Sequence, residues 1–163
     1  MNPEPEQPNV GEPPWYESAS IPALLRHARR AYGTAMRAAL SGGGCDDVPP
    51  NGMYVLGGLA MGGGGVPLSD LIAQLGVSKP AAAQLVDTLV LRGYLDRTAD
   101  PEDRSKFSVT LTERGQAAAA AQAAARERVD AELAECVGAE CVLQMRRALG
   151  VLCHLGRCVD AGE

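Results

Sequence analysis

The chain has 163 residues, 46% of them hydrophobic and 21% charged, which suits one globular domain with its own core. No apolar run reaches the ~18 residues of a membrane span. The opening Met1-Asn2-Pro3-Glu4-Pro5-Glu6 offers neither the basic nor the apolar region of a secretory signal, so the cytoplasm is the expected compartment. A net charge of −5 looks wrong for a nucleic-acid binder until it is located. Residues 1–20 carry Glu4, Glu6, Glu12 and Glu17 and no base, whereas 21–40 carry Arg26, Arg29, Arg30 and Arg37 and no acid. The total is therefore a poor guide to any one surface.

In chain order, the proline-rich start predicts a flexible arm over 1–19. From Ser20, which can cap a helix, apolar residues recur at helical spacing: Ile21, Leu24, Leu25, Ala28, Tyr32, Ala35, Met36 and Leu40. Gly42-Gly43-Gly44 ends that helix, with its arginines mainly on the opposite face. A loop with Pro49-Pro50 leads to a short helix at about Gly52–Met61, which stops at Gly62-Gly63-Gly64-Gly65. Leu68, Leu71, Ile72 and Leu75 form a further helix, ended by Gly76. Ser78 caps the next, which carries Leu85, Val86, Leu89 and Val90 and stops at Gly93.

Two helices joined by Gly76-Val77-Ser78 have the spacing of a helix-turn-helix. Tyr94–Thr98 then reads as a strand, Ala99–Lys106 as a polar turn, and Phe107–Thr112 as an alternating return strand. A helix-turn-helix followed by a charged hairpin is the order of a winged helix. Thr112 caps a long alanine-rich helix to about Val137, Gly138 breaks it, and a last helix spans about Glu140–Val159. The fold class is mainly α with a small β-hairpin wing: a winged helix-turn-helix over about 52–112, flanked by dimerisation helices over about 20–41 and 113–159, all within one domain, 20–163. Long apolar stripes outside the compact unit need a second surface, and a second copy of the chain is the economical one.

Five cysteines, Cys45, Cys136, Cys141, Cys153 and Cys158, occur without a C-x-x-C pair, and His27 and His154 are the only histidines. No metal or other cofactor is expected. The thiols read as small buried hydrophobes, with redox sensing through Cys136 and Cys141, which flank Gly138, as the rival. An enzyme is not expected: Cys153 and His154 are adjacent on one helix and cannot face each other, and no phosphate loop or carboxylate pair is present.

Leu71-Ile72-Ala73-Gln74-Leu75-Gly76-Val77-Ser78, Leu85-Val86-Asp87-Thr88-Leu89, Arg92-Gly93-Tyr94-Leu95, Asp100-Pro101-Glu102-Asp103-Arg104 and Leu111-Thr112-Glu113-Arg114-Gly115 together resemble the MarR (multiple-antibiotic-resistance regulator) family. The resemblance implies a homodimeric repressor on a pseudo-palindromic double-stranded operator. It implies that Lys79–Arg92 enters the major groove and that Arg104, oriented by Asp103, enters the minor groove. The DNA-contacting set is then Ser78, Lys79, Ala81, Ala83, Gln84, Thr88, Asp103, Arg104 and Lys106. Family wings carry a second arginine where this chain has Ser105, and Pro80-Ala81-Ala82-Ala83 leaves base-edge hydrogen bonding to Gln84 and Lys79. Family members also bind small aromatic or phenolic acids between the dimer helices and the DNA-binding lobe. Trp15, Tyr16, Arg26, Arg30, Tyr32 and Tyr54 are the residues suited to lining such a crevice. The competing readings are a winged-helix protein-interaction module that no longer binds DNA and a thiol-based redox repressor.

Overall fold

The computed structural model describes residues 14–62, 66–67, 78–99 and 107–160. The elements are α1 (Trp15–Ser18), α2 (Ile21–Gly42), α3 (Gly52–Met61), β1 (Val66–Pro67), α4 (Lys79–Leu91), β2 (Leu95–Ala99), β3 (Phe107–Leu111), α5 (Glu113–Val137) and α6 (Ala139–Asp160). The helix expected around Leu68–Leu75, the segment 1–13 and the wing turn 100–106 lie outside the described residues.

Helix ends follow local chemistry. Thr112 caps α5 by accepting from the Gly115 N–H at 3.0 Å, and Gly138, at φ 84°, ends it. Ser20 occupies the N-cap of α2, but its hydroxyl caps nothing. Pro22 in the first turn lacks an N–H, which removes one of the two donors such a hydroxyl could serve. The arm expected over 1–19 is interrupted at its end by α1, a single helical turn.

Among the described residues the sheet has three strands, ordered β1-β3-β2 and antiparallel throughout. Leu95 faces Leu111 and Arg97 faces Val109 in the hairpin, while Val66 pairs with Val109 on the other edge. The sequence reading missed β1, because two residues are too few to show alternation.

The core gathers Met36 and Leu40 of α2, Met53, Val55, Leu56 and Leu59 of α3, Val86 and Leu89 of α4, then Tyr94, Leu95 and Val109. Ala118, Ala119 and Ala125 of α5 close it, their small side chains letting α2 and α3 approach closely. Tyr32 of α2 donates to Asp130 of α5 at 2.5 Å, and Arg146 of α6 reaches the same carboxylate at 2.6 Å. That shared carboxylate ties the three long helices together.

Among the described residues, Ile21 and Leu25 at the start of α2 and Leu143, Met145, Val151, Leu152 and Leu155 along α6 are exposed large apolar side chains. The cysteines divide. Cys45 is buried, but Cys136, Cys141 and Cys153 are exposed, correcting for these three the expectation of buried thiols; the side-chain surroundings of Cys158 fall outside the description. No described helix is long and apolar enough to cross a membrane.

Candidate nucleic-acid interface

Helix α4 is anchored by one face and offers the other. Ala82, Val86 and Leu89 are wholly buried, so the 3.6-residue period leaves Lys79, Ala81 and Gln84 exposed at its N-terminal half. Ser78 occupies the N-cap and accepts from the Ala81 N–H at 3.4 Å. Ala83 and Thr88 are half-buried. Thr88 donates its hydroxyl proton to the Gln84 carbonyl at 2.7 Å, which commits that proton to its own helix. Asp87, exposed on the same helix, pairs with Arg97 of β2 at 3.0 Å and ties α4 to the wing. Asp103, Arg104 and Lys106 lie outside the described residues.

The junction between α4 and the wing is fixed by hydrogen bonds to its backbone. Gly93, at φ 73°, places its own N–H on the Val90 carbonyl at 2.9 Å and the Tyr94 N–H on the Leu89 carbonyl at 2.9 Å. This is the Schellman arrangement, which needs a left-handed residue at that position. The Tyr94 ring is buried, and its hydroxyl donates to Asp47 Oδ1 at 2.5 Å. Arg114 stacks over that ring, with its guanidinium carbon 4.3 Å from the centroid, and pairs with Asp47 at 3.0 Å. It also donates to the Arg92 carbonyl at 2.5 Å, while Arg92 donates to the Asp47 carbonyl. The Tyr94 hydroxyl, helped by Arg114, holds the Asp47 carboxyl below the usual carboxylate range. Burial, then the bond to Asp47, pushes the Tyr94 hydroxyl well above the usual phenolic range. Nothing in Asp46-Asp47 distinguishes Asp47 from an ordinary loop acid, so the sequence reading passed over it.

Residues 46–104 match the model of the MarR family. Over that stretch the chain is similar to the MarR family. No curated protein matches it in sequence, but solved structures do in fold. FabT of Streptococcus pneumoniae in complex with DNA aligns with a TM-score of 0.74 at 17% identity, over 88% of this chain and 99% of FabT. MepR of S. aureus in its DNA-binding conformation aligns at 0.68 and 18% identity, over 83% and 98%. NadR in complex with 4-hydroxyphenylacetate aligns at 0.64 and 25% identity, over 86% and 97%. The flanking helices, which the family model does not reach, are thus part of the fold shared with these structures.

Within this fold the six residues expected around an aromatic acid do not converge. Arg26, Arg30 and Tyr54 line one cleft, of about 670 Å³, between α2 and α3. Tyr32 faces Asp130 instead, and Trp15, packed edge-on against Tyr16 and His27, is not among the residues lining that cleft. Arg29 and Arg37, which the sequence reading did not assign to a site, also line it. A second cleft, of about 540 Å³, separates the end of α3 from β3 and α5. Gly57, Leu59, Ala119 and Ala123 make its walls apolar, and Thr110, Gln116 and Arg126 supply polar groups. None of these was anticipated, because alanines on a long helix read only as packing.

Proposed function

We propose that this chain is a MarR-family DNA-binding transcriptional regulator, acting as a homodimeric repressor in the cytoplasm. The observation that carries the reading is the outward face of α4, where Lys79, Ala81 and Gln84 are exposed on a helix capped by Ser78 and braced to the wing through Asp87 and Arg97. A helix held this way presents side chains to base edges in the major groove without first having to order itself. Gln84 can bond an adenine edge bidentately, Lys79 can bond guanine or phosphate, and Ala81 can touch a thymine methyl. Ser78 reaches the backbone, Ala83 and Thr88 flank the reading face, and Arg104, with Asp103 and Lys106, completes the contact from the wing. The uncovered apolar stretches of α2 and α6 pair two copies, placing two such helices on the half-sites of a pseudo-palindrome.

Release is proposed to come from a small aromatic acid. Of the two clefts, the one between α3, β3 and α5 suits it better. Its walls are apolar, and the guanidinium of Arg126, whose one hydrogen bond among the described residues is a weak contact to Met36 Sδ at 3.6 Å, can take a carboxylate. A ligand there touches both the helix that continues into the dimer region and a strand of the wing.

The test is enrichment of duplexes from a random pool by the purified protein, followed by affinity measurement at several salt concentrations. An enriched pseudo-palindrome, bound less tightly as salt rises, supports the reading. Failure to retain any duplex would turn it towards a protein-interaction module.

A further inference from the structure

The α2–α3 cleft remains unassigned, and its chemistry is unusual. Arg26, Arg29, Arg30 and Arg37 line it, with no acidic residue among the described residues of its walls. Arg29 is engaged by Tyr54, donating Nε to the hydroxyl at 3.1 Å and lying over the ring. Among the described residues the guanidinia of Arg26, Arg30 and Arg37 have no hydrogen-bond or ion-pair partner, and all three are exposed. Four guanidinium groups are too many for one carboxylate. At ~1.5 Å of rise per residue, Arg26 and Arg37 stand roughly 16 Å apart along α2, so the charge forms a track rather than a point.

Where the track leads decides its partner. Asn51 lines this cleft and also lines the smaller one, of about 250 Å³, that Ala81, Gln84 and Thr88 make with Pro49. The arginine track therefore runs continuously onto the face of α4 that carries Gln84. The stretch from Gly76 to Phe107 needs such help. Lys79, Arg92, Arg97, Arg104 and Lys106 are cancelled there by Asp87, Asp96, Asp100, Glu102 and Asp103. The reading helix and wing thus bring no net positive charge, yet phosphate neutralisation supplies most of the salt-dependent affinity of DNA binding.

We infer that the arginine track of α2 binds the DNA phosphate backbone flanking the half-site read by α4, extending the contact along the duplex beyond the winged helix. The inference rests on the DNA-binding reading above. Guanidinium groups take phosphate oxygens through paired hydrogen bonds, and Asn51 stands where the strand would pass from one surface to the other.

The experiment uses the full-length protein, the duplex enriched as above, and a scrambled duplex of equal length. Arg30→Ala and Arg37→Ala should each reduce the slope of log affinity against log salt by about 0.9, weakening both duplexes alike by roughly tenfold at 0.1 M salt. Arg37→Lys should keep most of the slope, since a point charge still neutralises phosphate. Trimming the duplex to its two half-sites should abolish the difference between Arg30→Ala and the parent. Melting temperatures near the parent's exclude a folding defect, as expected for exposed side chains without partners. If the parent binds DNA but slopes and affinities are unchanged in the variants, the track does not touch the backbone and the inference is overturned. It is equally overturned if inorganic triphosphate raises the melting temperature of the parent alone while the DNA slopes stay equal, because the site is then a free-anion pocket. A parent that binds no duplex sinks the DNA-binding reading itself.

Discussion

A Cβ at residue 115 would stand 2.1 Å from the carbonyl oxygen of Tyr94, so the first turn of α5 crosses the base of the wing with no room for a side chain. The nearest atom is backbone and cannot swing aside: the Tyr94 carbonyl also accepts the Thr112 N–H at 3.1 Å, while the Thr112 hydroxyl donates to the Gly93 carbonyl at 2.6 Å. Gly115→Ala should therefore cost roughly 3–5 kcal/mol or prevent folding, at the severe end for single substitutions. Gly33 is the contrast, a mid-helix glycine with nothing within 4 Å of its Cβ position. Gly33→Ala should stabilise by about 0.5–1 kcal/mol through helix propensity. Urea denaturation of the two variants checks both signs.

This junction also shows what the sequence could and could not reveal. Periodicity and punctuation located the helices, because Met36, Leu40, Val86 and Leu89 bury one face and Gly93 and Gly138 stop their helices in left-handed conformations. The Leu111–Gly115 motif was visible as a resemblance, but its reason is a close approach between residues 21 positions apart, which spacing cannot disclose. Asp47 was invisible for the same cause: its role comes from Tyr94 and Arg114, brought to it only by the fold. The arginines of α2 were legible as a charged face, and their continuity with Gln84 through Asn51 was not.

The Asp47–Tyr94 bond should mark both ends of the pH–stability profile. The carboxyl is depressed in the folded state, so its contribution is present above the unfolded value near pH 4 and lost as pH falls through the folded one. The Tyr94 hydroxyl is raised, so its contribution is complete below about pH 10 and lost as pH climbs above that. Tyr94→Phe should flatten the alkaline limb. It should also weaken the acid limb, because it removes the main cause of the Asp47 depression. Urea midpoints measured from pH 3 to 11 decide the matter; an alkaline limb unchanged in Tyr94→Phe would show that another group controls it.

Gln122 is wholly buried on α5, and among the described residues neither its amide nitrogen nor its oxygen has a hydrogen-bond partner. A buried polar group left unsatisfied costs about 1–3 kcal/mol. Gln122→Met keeps the length of the side chain and removes both orphaned atoms, so it should raise stability by roughly 1 kcal/mol. Destabilisation by a similar amount would mean that the amide bonds a partner absent from the isolated protomer.

Homodimerisation should depend on the α6 surface. Val151 is 61% and Leu155 60% exposed in the protomer, values unfavourable for two apolar residues in a helix that stays in water. A two-fold interface counts each substitution twice. At roughly 1–3 kcal/mol per unpaired polar group buried, Leu155→Asp should weaken association by about thirtyfold or more. Sedimentation equilibrium should find the parent dimeric at micromolar concentration and the variant shifted towards monomer. A folded parent that remains monomeric would leave α6 without its proposed role and the two-fold operator without a basis.

Gln84 and Arg104 should fail in different ways when removed. Gln84 is exposed on a rigid helix whose other face is fixed by Val86 and Leu89, so its amide can be held against a base edge and read its identity. Arg104, proposed to enter the minor groove from the wing, would respond to groove width and A·T content rather than to one base pair. Gln84→Ala should then relax preference at one or two base pairs in each half-site, costing roughly 1–3 kcal/mol on the best operator and little on a scrambled duplex. Arg104→Ala should weaken binding by a comparable amount, about 5- to 150-fold, while its effect follows the A·T content of the flanks. Both variants are titrated at one fixed salt concentration against the enriched operator, single-base variants of it, and duplexes with G·C-rich flanks. If Gln84→Ala lost affinity equally on every duplex, the residue would be a backbone contact, and base reading by α4 would have to pass to Lys79. Unchanged operator affinity in Arg104→Ala would remove the wing from the mechanism and leave α4 with the arginine track to account for binding.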